Sequence, residues 1–137
     1  MNFQKWGVFL KVLIYDGDCI FCSKYIYWLY RSDKKKRILF STFDSKFYTN
    51  LKINSEVNPS IDSVIYYREK QVYYKSTAII EILKDVFNFG FIFNFIYLCP
   101  LFIRDKFYDN IAKIRYKLIK SNDSCNIDFE FSKRLIK

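Results

Sequence analysis

The chain has 137 residues, 51% of them hydrophobic and 27% charged, which suits one globular domain with a core of its own and excludes a disordered chain. Three Gly and two Pro exclude collagen-like and linker-rich architectures, and the absence of His removes Ser-His-Asp and Cys-His catalysis, His-ligated zinc and any imidazole shuttle. The net charge of +9 would suit a polyanion, but the excess follows a composition generally rich in Lys, Ile, Asn, Phe and Tyr, so a generic basic surface is expected and no nucleic-acid partner.

Along the chain, Lys11 interrupts the apolar stretch Gly7 to Leu10 and no small-residue cleavage site follows. This predicts a mature cytoplasmic N-terminus rather than a signal peptide. Val8 to Tyr15 is nearly continuous in apolar and β-branched residues, the pattern of a strand covered on both faces. Asp16-Gly17-Asp18 ends it. From Cys19 to Arg31, Cys22, Tyr25, Ile26 and Leu29 recur at helical spacing, with Asp18 as the expected N-cap. Asp33 to Arg37 is a charged connection, and Ile38 to Phe43 reads as a second strand parallel to the first.

A short helix fits within Asp44 to Ile53, and Asn54 to Asp62 reads as loop. Ser63 to Tyr67 and Gln71 to Tyr74 form a hairpin around Arg68-Glu69-Lys70. Ser76 or Thr77 is expected to cap a helix reaching Phe87, with a Gly stop near Gly90. Pro100 opens a last helix with the stripe Ile103, Phe107, Ile111, Ile114 and Leu118, and residues 121–137 read as an irregular or weakly helical tail. The fold class expected is α/β: a mixed four-stranded sheet flanked by helices, with a C-terminal helical extension. One domain spans 1–137, its core about 8–120.

Chemistry concentrates in Cys19-Ile20-Phe21-Cys22, placed straight after a buried-type strand and at a helix start. Unpaired N–H groups and the positive end of the helix dipole stabilise a thiolate there. Cys22, three residues on, shares nearly the same helix face and is placed to close a disulfide with Cys19. Two other readings stand beside this one. The pair could be half of a zinc site completed by Cys99 and Cys125, but those two stand 26 positions apart where zinc sites take a second tight pair; or both could be ordinary buried thiols. No metal and no cofactor is expected.

Tyr15-Asp16-Gly17-Asp18-Cys19-Ile20-Phe21-Cys22 resembles the signature of the DCC family of predicted thiol-disulfide oxidoreductases, named for its Asp-x-x-Cys-x-x-Cys motif. Further blocks resemble it in the same order: Asp62-Ser63-Val64, Lys75-Ser76-Thr77-Ala78, Pro100 with Arg104-Asp105 and Tyr108, then Arg115-Tyr116 and Cys125. The resemblance covers roughly positions 10 to 125 and implies a thioredoxin-like fold, with thiol-disulfide exchange as the activity. It makes Asp16 the family's leading Asp and Cys125 a third redox candidate. Thioredoxins set a cis-Pro against their CxxC, and Pro59 lies three residues before Asp62, a departure from that pattern.

A carboxylate at Asp16 could take the proton from Cys22 when that thiol attacks; it could equally support the turn through an Asx hydrogen bond. Asp16 and Asp18 oppose a nearby thiolate, and Lys24 is the nearest cation in sequence. A reducing or isomerising poise is therefore expected over a strongly oxidising one. The expected partner is a protein or small-molecule disulfide or thiol substrate. Residues 89–103 form an apolar run too short to span a bilayer. Packing over the sheet is the favoured reading of that run, and peripheral membrane contact or a redox-inert docking module the alternative. Tyr66, Tyr67, Tyr73 and Tyr74 are expected in core and edge packing, not as a base-stacking platform.

Overall fold

The computed structural model describes residues 10–17, 20–61, 63–88, 90–118 and 129–137, and of 20–23, 115–118 and 129 it describes the backbone alone. The elements in chain order are β1 (Lys11–Tyr15), α1 (Ile20–Ser32), β2 (Leu39–Thr42), α2 (Lys46–Ile53), β3 (Ile65–Arg68), β4 (Gln71–Tyr74), α3 (Lys75–Phe87), α4 (Gly90–Asn94), a 3₁₀ turn (Phe95–Leu98), α5 (Leu101–Leu118), α6 (Phe129–Ser132) and β5 (Leu135–Ile136). The sheet runs β4-β3-β1-β2-β5. β1 is parallel to β2 and β2 to β5, while β3 is antiparallel to both β1 and β4. This mixed sheet with helices on both sides agrees with the thioredoxin-like arrangement expected.

β1 lies at the centre, which is why its sequence does not alternate. Leu13 and Tyr15 face a core with Ile26 and Leu29 of α1, Ala78 and Ile82 of α3 and Phe131 of α6. Val12 and Ile14 face the other core, with Phe47, Tyr48 and Leu51 of α2 and Val57. Each fully buried side chain of this size contributes about 1.5–3 kcal/mol relative to exposure. Tyr66 and Tyr67 are buried on opposite faces of β3. The hairpin turn between β3 and β4 has only two central residues, Glu69 and Lys70, at φ 51° and 67°. Both are left-handed, as a turn that follows the strand twist requires.

Three expectations are corrected. The tail is not merely irregular: 129–137 supplies α6 and a fifth strand, β5, which pairs Phe40 with Leu135 and Ser41 with Ile136. Asp33, expected in a charged connection, is buried and pairs with the Arg134 guanidinium while accepting from the Ile38 N–H at 3.0 Å. A carboxylate removed from water needs such partners, and the charged one, Arg134, lies about a hundred positions away, beyond any local pattern. Finally, α3 starts at Lys75, so neither Ser76 nor Thr77 is its cap, and its end is Asn88, left-handed at φ 56°, rather than Gly90, which opens α4.

Candidate functional site

The register fixes which ends of the strands meet. Tyr15 stands opposite Thr42, Ile14 opposite Ile65 and Ile65 opposite Tyr74. The C-terminal ends of β1, β2 and β4 and the start of β3 therefore share one edge of the sheet. The starts of α1 and α3, each following a strand, belong to that edge too. In open sheets with parallel strands this is where ligands bind, because the strand ends leave a crevice between diverging loops.

Asp16 is half-buried at the end of β1. Gly17 follows against β2: a Cβ there would stand 3.1 Å from the Thr42 Cγ2. A side chain at 17 would have to push the Thr42 methyl aside, and the Phe43 N–H bonds the Tyr15 carbonyl at 3.2 Å just beyond the paired residues. α1 begins at Ile20, which puts Cys22 in its first turn. Cys19 lies outside the described residues, as do Asp18, Asp62 and Cys125, and of Cys22 only the backbone is described. Of the residues singled out in the sequence, the edge thus holds Asp16 and the backbone of Cys22. Ile26 and Leu29 of the predicted α1 stripe are buried and Tyr25 is half-buried.

Across the edge, α5 is laid over the start of β3 and the start of α3 by polar contacts. Tyr108 Oη accepts the Val64 N–H at 3.0 Å. Ser76 Oγ donates to Asp105 Oδ1 at 2.5 Å, and Lys75 Nζ pairs with Asp109 at 3.1 Å. Ser76, expected as a cap, is thus an anchor for α5. Asp105 and Tyr108 of the block singled out in the sequence form this seam, whereas Arg104 lies over the Tyr97 ring. Tyr25, on α1 one turn after Cys22, has a buried hydroxyl with no hydrogen-bond partner among the described residues. Burial, and then the neighbouring Tyr108, push its phenol well above the ordinary range. The sequence shows Tyr25 only as one position of an apolar stripe; a phenol in such a stripe, beside a dithiol motif, was the signal available.

Further along α3, Glu81 accepts from Tyr97 at 2.6 Å and pairs with Lys84 and Arg68, both at 3.0 Å. Burial and the Glu81 contact raise the Tyr97 phenol to about 12. Cys99, a half-buried free thiol, follows this turn, which is tied to the middle of α3 rather than to its start. Pro59 is exposed in the loop before β3, and no peptide bond among the described residues is cis. Ser63, just before β3, is buried.

The model of the DCC1-like thiol-disulfide oxidoreductase family matches residues 13–121 of the chain. Among curated proteins, a chloroplastic DCC family protein of Arabidopsis thaliana is 30% identical over 118 residues, covering 85% of this chain and 69% of that protein. The uncharacterized protein YuxK of Bacillus subtilis is 29% identical over 116 residues, covering 84% of this chain and 85% of its own length. No solved structure matches the chain significantly. Among the described residues, no helix is long and apolar enough to cross a membrane.

Proposed function

The chain belongs to the DCC1-like thiol-disulfide oxidoreductase family, and from that membership we propose that it exchanges disulfides through Cys19 as nucleophile and Cys22 as resolving thiol. The observation that carries this reading is the placement of α1: its first residue, Ile20, stands between the two cysteines, at the strand-end edge of the sheet. Helix-start N–H groups and the helix dipole favour a thiolate at such a position. The Cys19 thiolate attacks one sulfur of a substrate disulfide, forming a mixed disulfide and releasing the other sulfur as thiolate. Cys22, deprotonated by Asp16, then attacks the Cys19 sulfur. The Cys19–Cys22 disulfide forms, the second substrate sulfur leaves, and two electrons have passed from the dithiol to the substrate.

The direction proposed is reduction or isomerisation. Asp16 and Asp18 flank the motif with negative charge, and the exposed Lys24 is the only cation that the sequence supplies between 12 and 30. A thiolate so placed is only modestly favoured, which suits a reducing compartment such as the cytoplasm and one thioredoxin-like domain acting on a protein or small-molecule disulfide.

Insulin reduction with dithiothreitol as donor tests the reading. The wild-type chain should accelerate precipitation of the insulin B chain, Cys19→Ser should abolish the effect, and Cys22→Ser should accumulate mixed disulfides that identify the substrate. Asp16→Asn should slow resolution, with the defect shrinking at alkaline pH where Cys22 ionises unaided. No acceleration by the wild type, with iodoacetamide alkylating Cys99 or Cys125 before Cys19, would overturn it in favour of a redox-inert docking module.

A further inference from the structure

We propose that the outer face of α4, the 3₁₀ turn and α5 is a docking surface for an anionic lipid bilayer, on which the chain lies without inserting a span. The apolar stripe of α5 turns away from the protein. Phe107 is 67% exposed, and Ile111 and Ile114 are exposed as well, while Asp105, Tyr108 and Asp109 form the seam with the body of the chain. α4 and the 3₁₀ turn bury no residue, and Phe95 at 70%, Leu98 at 78% and Phe102 at 72% project from them and from the start of α5. So many large apolar side chains exposed on three successive elements mark an interaction site rather than ordinary surface.

Charge decides which partner fits. Between 90 and 114 the chain has two carboxylates, Asp105 and Asp109; both are paired, Asp105 by the Ser76 hydroxyl and Asp109, its side chain 47% exposed, by Lys75. Arg104 lies over the Tyr97 ring, its guanidinium carbon 4.7 Å from the centroid. Among the described residues, the charges left on the outer side of α5 are Lys106 and Lys113, both exposed, on a chain whose net charge is +9. Projecting Phe and Leu flanked by Lys, with both carboxylates paired, is the pattern of an interfacial amphipathic helix: rings enter the acyl boundary and ammonium groups meet lipid phosphates. A second copy of the chain is a poor match, since its face would bring the same lysines and the same net charge into contact.

Co-sedimentation of the intact chain with phosphatidylcholine vesicles, with and without phosphatidylglycerol, tests this. Binding should require phosphatidylglycerol and weaken severalfold as salt is raised, because the attraction of lysines to lipid is screened beyond roughly 10 Å at 0.1 M salt. Lys106→Gln and Lys113→Gln should each weaken it about fivefold. A Phe95→Ser, Phe102→Ser double variant should lose sedimentation while its circular dichroism stays that of the parent, since both rings stand in solvent. Absence of sedimentation with anionic vesicles overturns the proposal. So does a dimer in ultracentrifugation that the same Phe substitutions dissolve, which would assign the face to a second copy. The outcome is independent of thiol exchange, which insulin reduction reads separately.

Discussion

α3 and α5 are both amphipathic helices packed on the same side of the sheet, and they face opposite ways. α3 puts Ala78 and Ile82 into the core beside Leu13, Ile26 and Leu29, and its polar positions Glu81 and Asp85 reach Arg68, Lys11 and Tyr66. α5 approaches with Asp105, Tyr108 and Asp109 and leaves Phe107, Ile111 and Ile114 outside. What lies underneath explains the difference. α3 meets the apolar face of the sheet, which it covers together with α1 and α6, whereas α5 meets the start of α3 and the loop before β3, where the Val64 N–H, Ser76 and Lys75 need partners. A buried backbone donor left unpaired costs about 1–3 kcal/mol, so polar contact is the better use of that site.

The largest effect that would break this comparison is in α3. Ile82→Ala should destabilise the chain by about 2–5 kcal/mol, as cavity-forming truncations at fully buried sites do, read as a lower urea midpoint with an unchanged slope. A loss under about 1 kcal/mol would mean that α3 is not the core helix described. Next comes the carboxylate beneath it. Asp85 accepts from Lys11 at 2.7 Å and Tyr66 at 2.6 Å and pairs with Arg68 at 3.2 Å. Asp85→Ala should cost about 2–3 kcal/mol, the range for losing hydrogen bonds to a charged group.

The same residue gives a pH dependence with a definite sign. Burial alone would raise the Asp85 carboxyl, but the hydrogen bonds from Lys11 and Tyr66, the Lys11 charge and the Arg68 hydrogen bond together hold it below the usual carboxylate range. A carboxyl lowered by folding contributes its full stability above the unfolded value of about 3.9, and that contribution disappears as pH falls through the lower folded value. The melting temperature should therefore drop more steeply below pH 4 in the parent than in Asp85→Ala. Equal slopes would show that the carboxyl titrates as if unpaired.

Smaller changes sharpen the α5 side. Asp105→Ala removes the Ser76 anchor and should cost about 1 kcal/mol, with hydrogen exchange rising in 101–114 before it rises in α3. The smallest effect is expected on the outer stripe: Phe107→Ser and Ile111→Ser should change stability by no more than about 0.5 kcal/mol, as surface substitutions do. A loss of 2 kcal/mol or more would mean that some part of the chain covers this face.

By itself the sequence determined the local elements and the motif at their junction. The run before Asp16, apolar but for Lys11, reads as a central strand, because a strand covered on both faces keeps apolar residues at nearly every position. The periodicity from Cys19 to Arg31 reads as a helix directly after it, so a strand-to-helix junction at the motif was legible, and the blocks at Ser63-Val64, Ser76 and Asp105-Tyr108 could be marked before their contacts were seen. Only the tertiary structure decided three things. It turned α5 over, because periodicity defines an apolar stripe and a polar stripe without saying which of them the neighbouring surface will accept. It drew 129–137 back as a fifth strand, because a two-residue strand carries no pattern and is held by Phe131 and by Arg134 on the distant Asp33. And it made Ser76 an anchor rather than a cap, because a hydroxyl bonds whichever group folding places within reach, here Asp105, 29 positions along the chain.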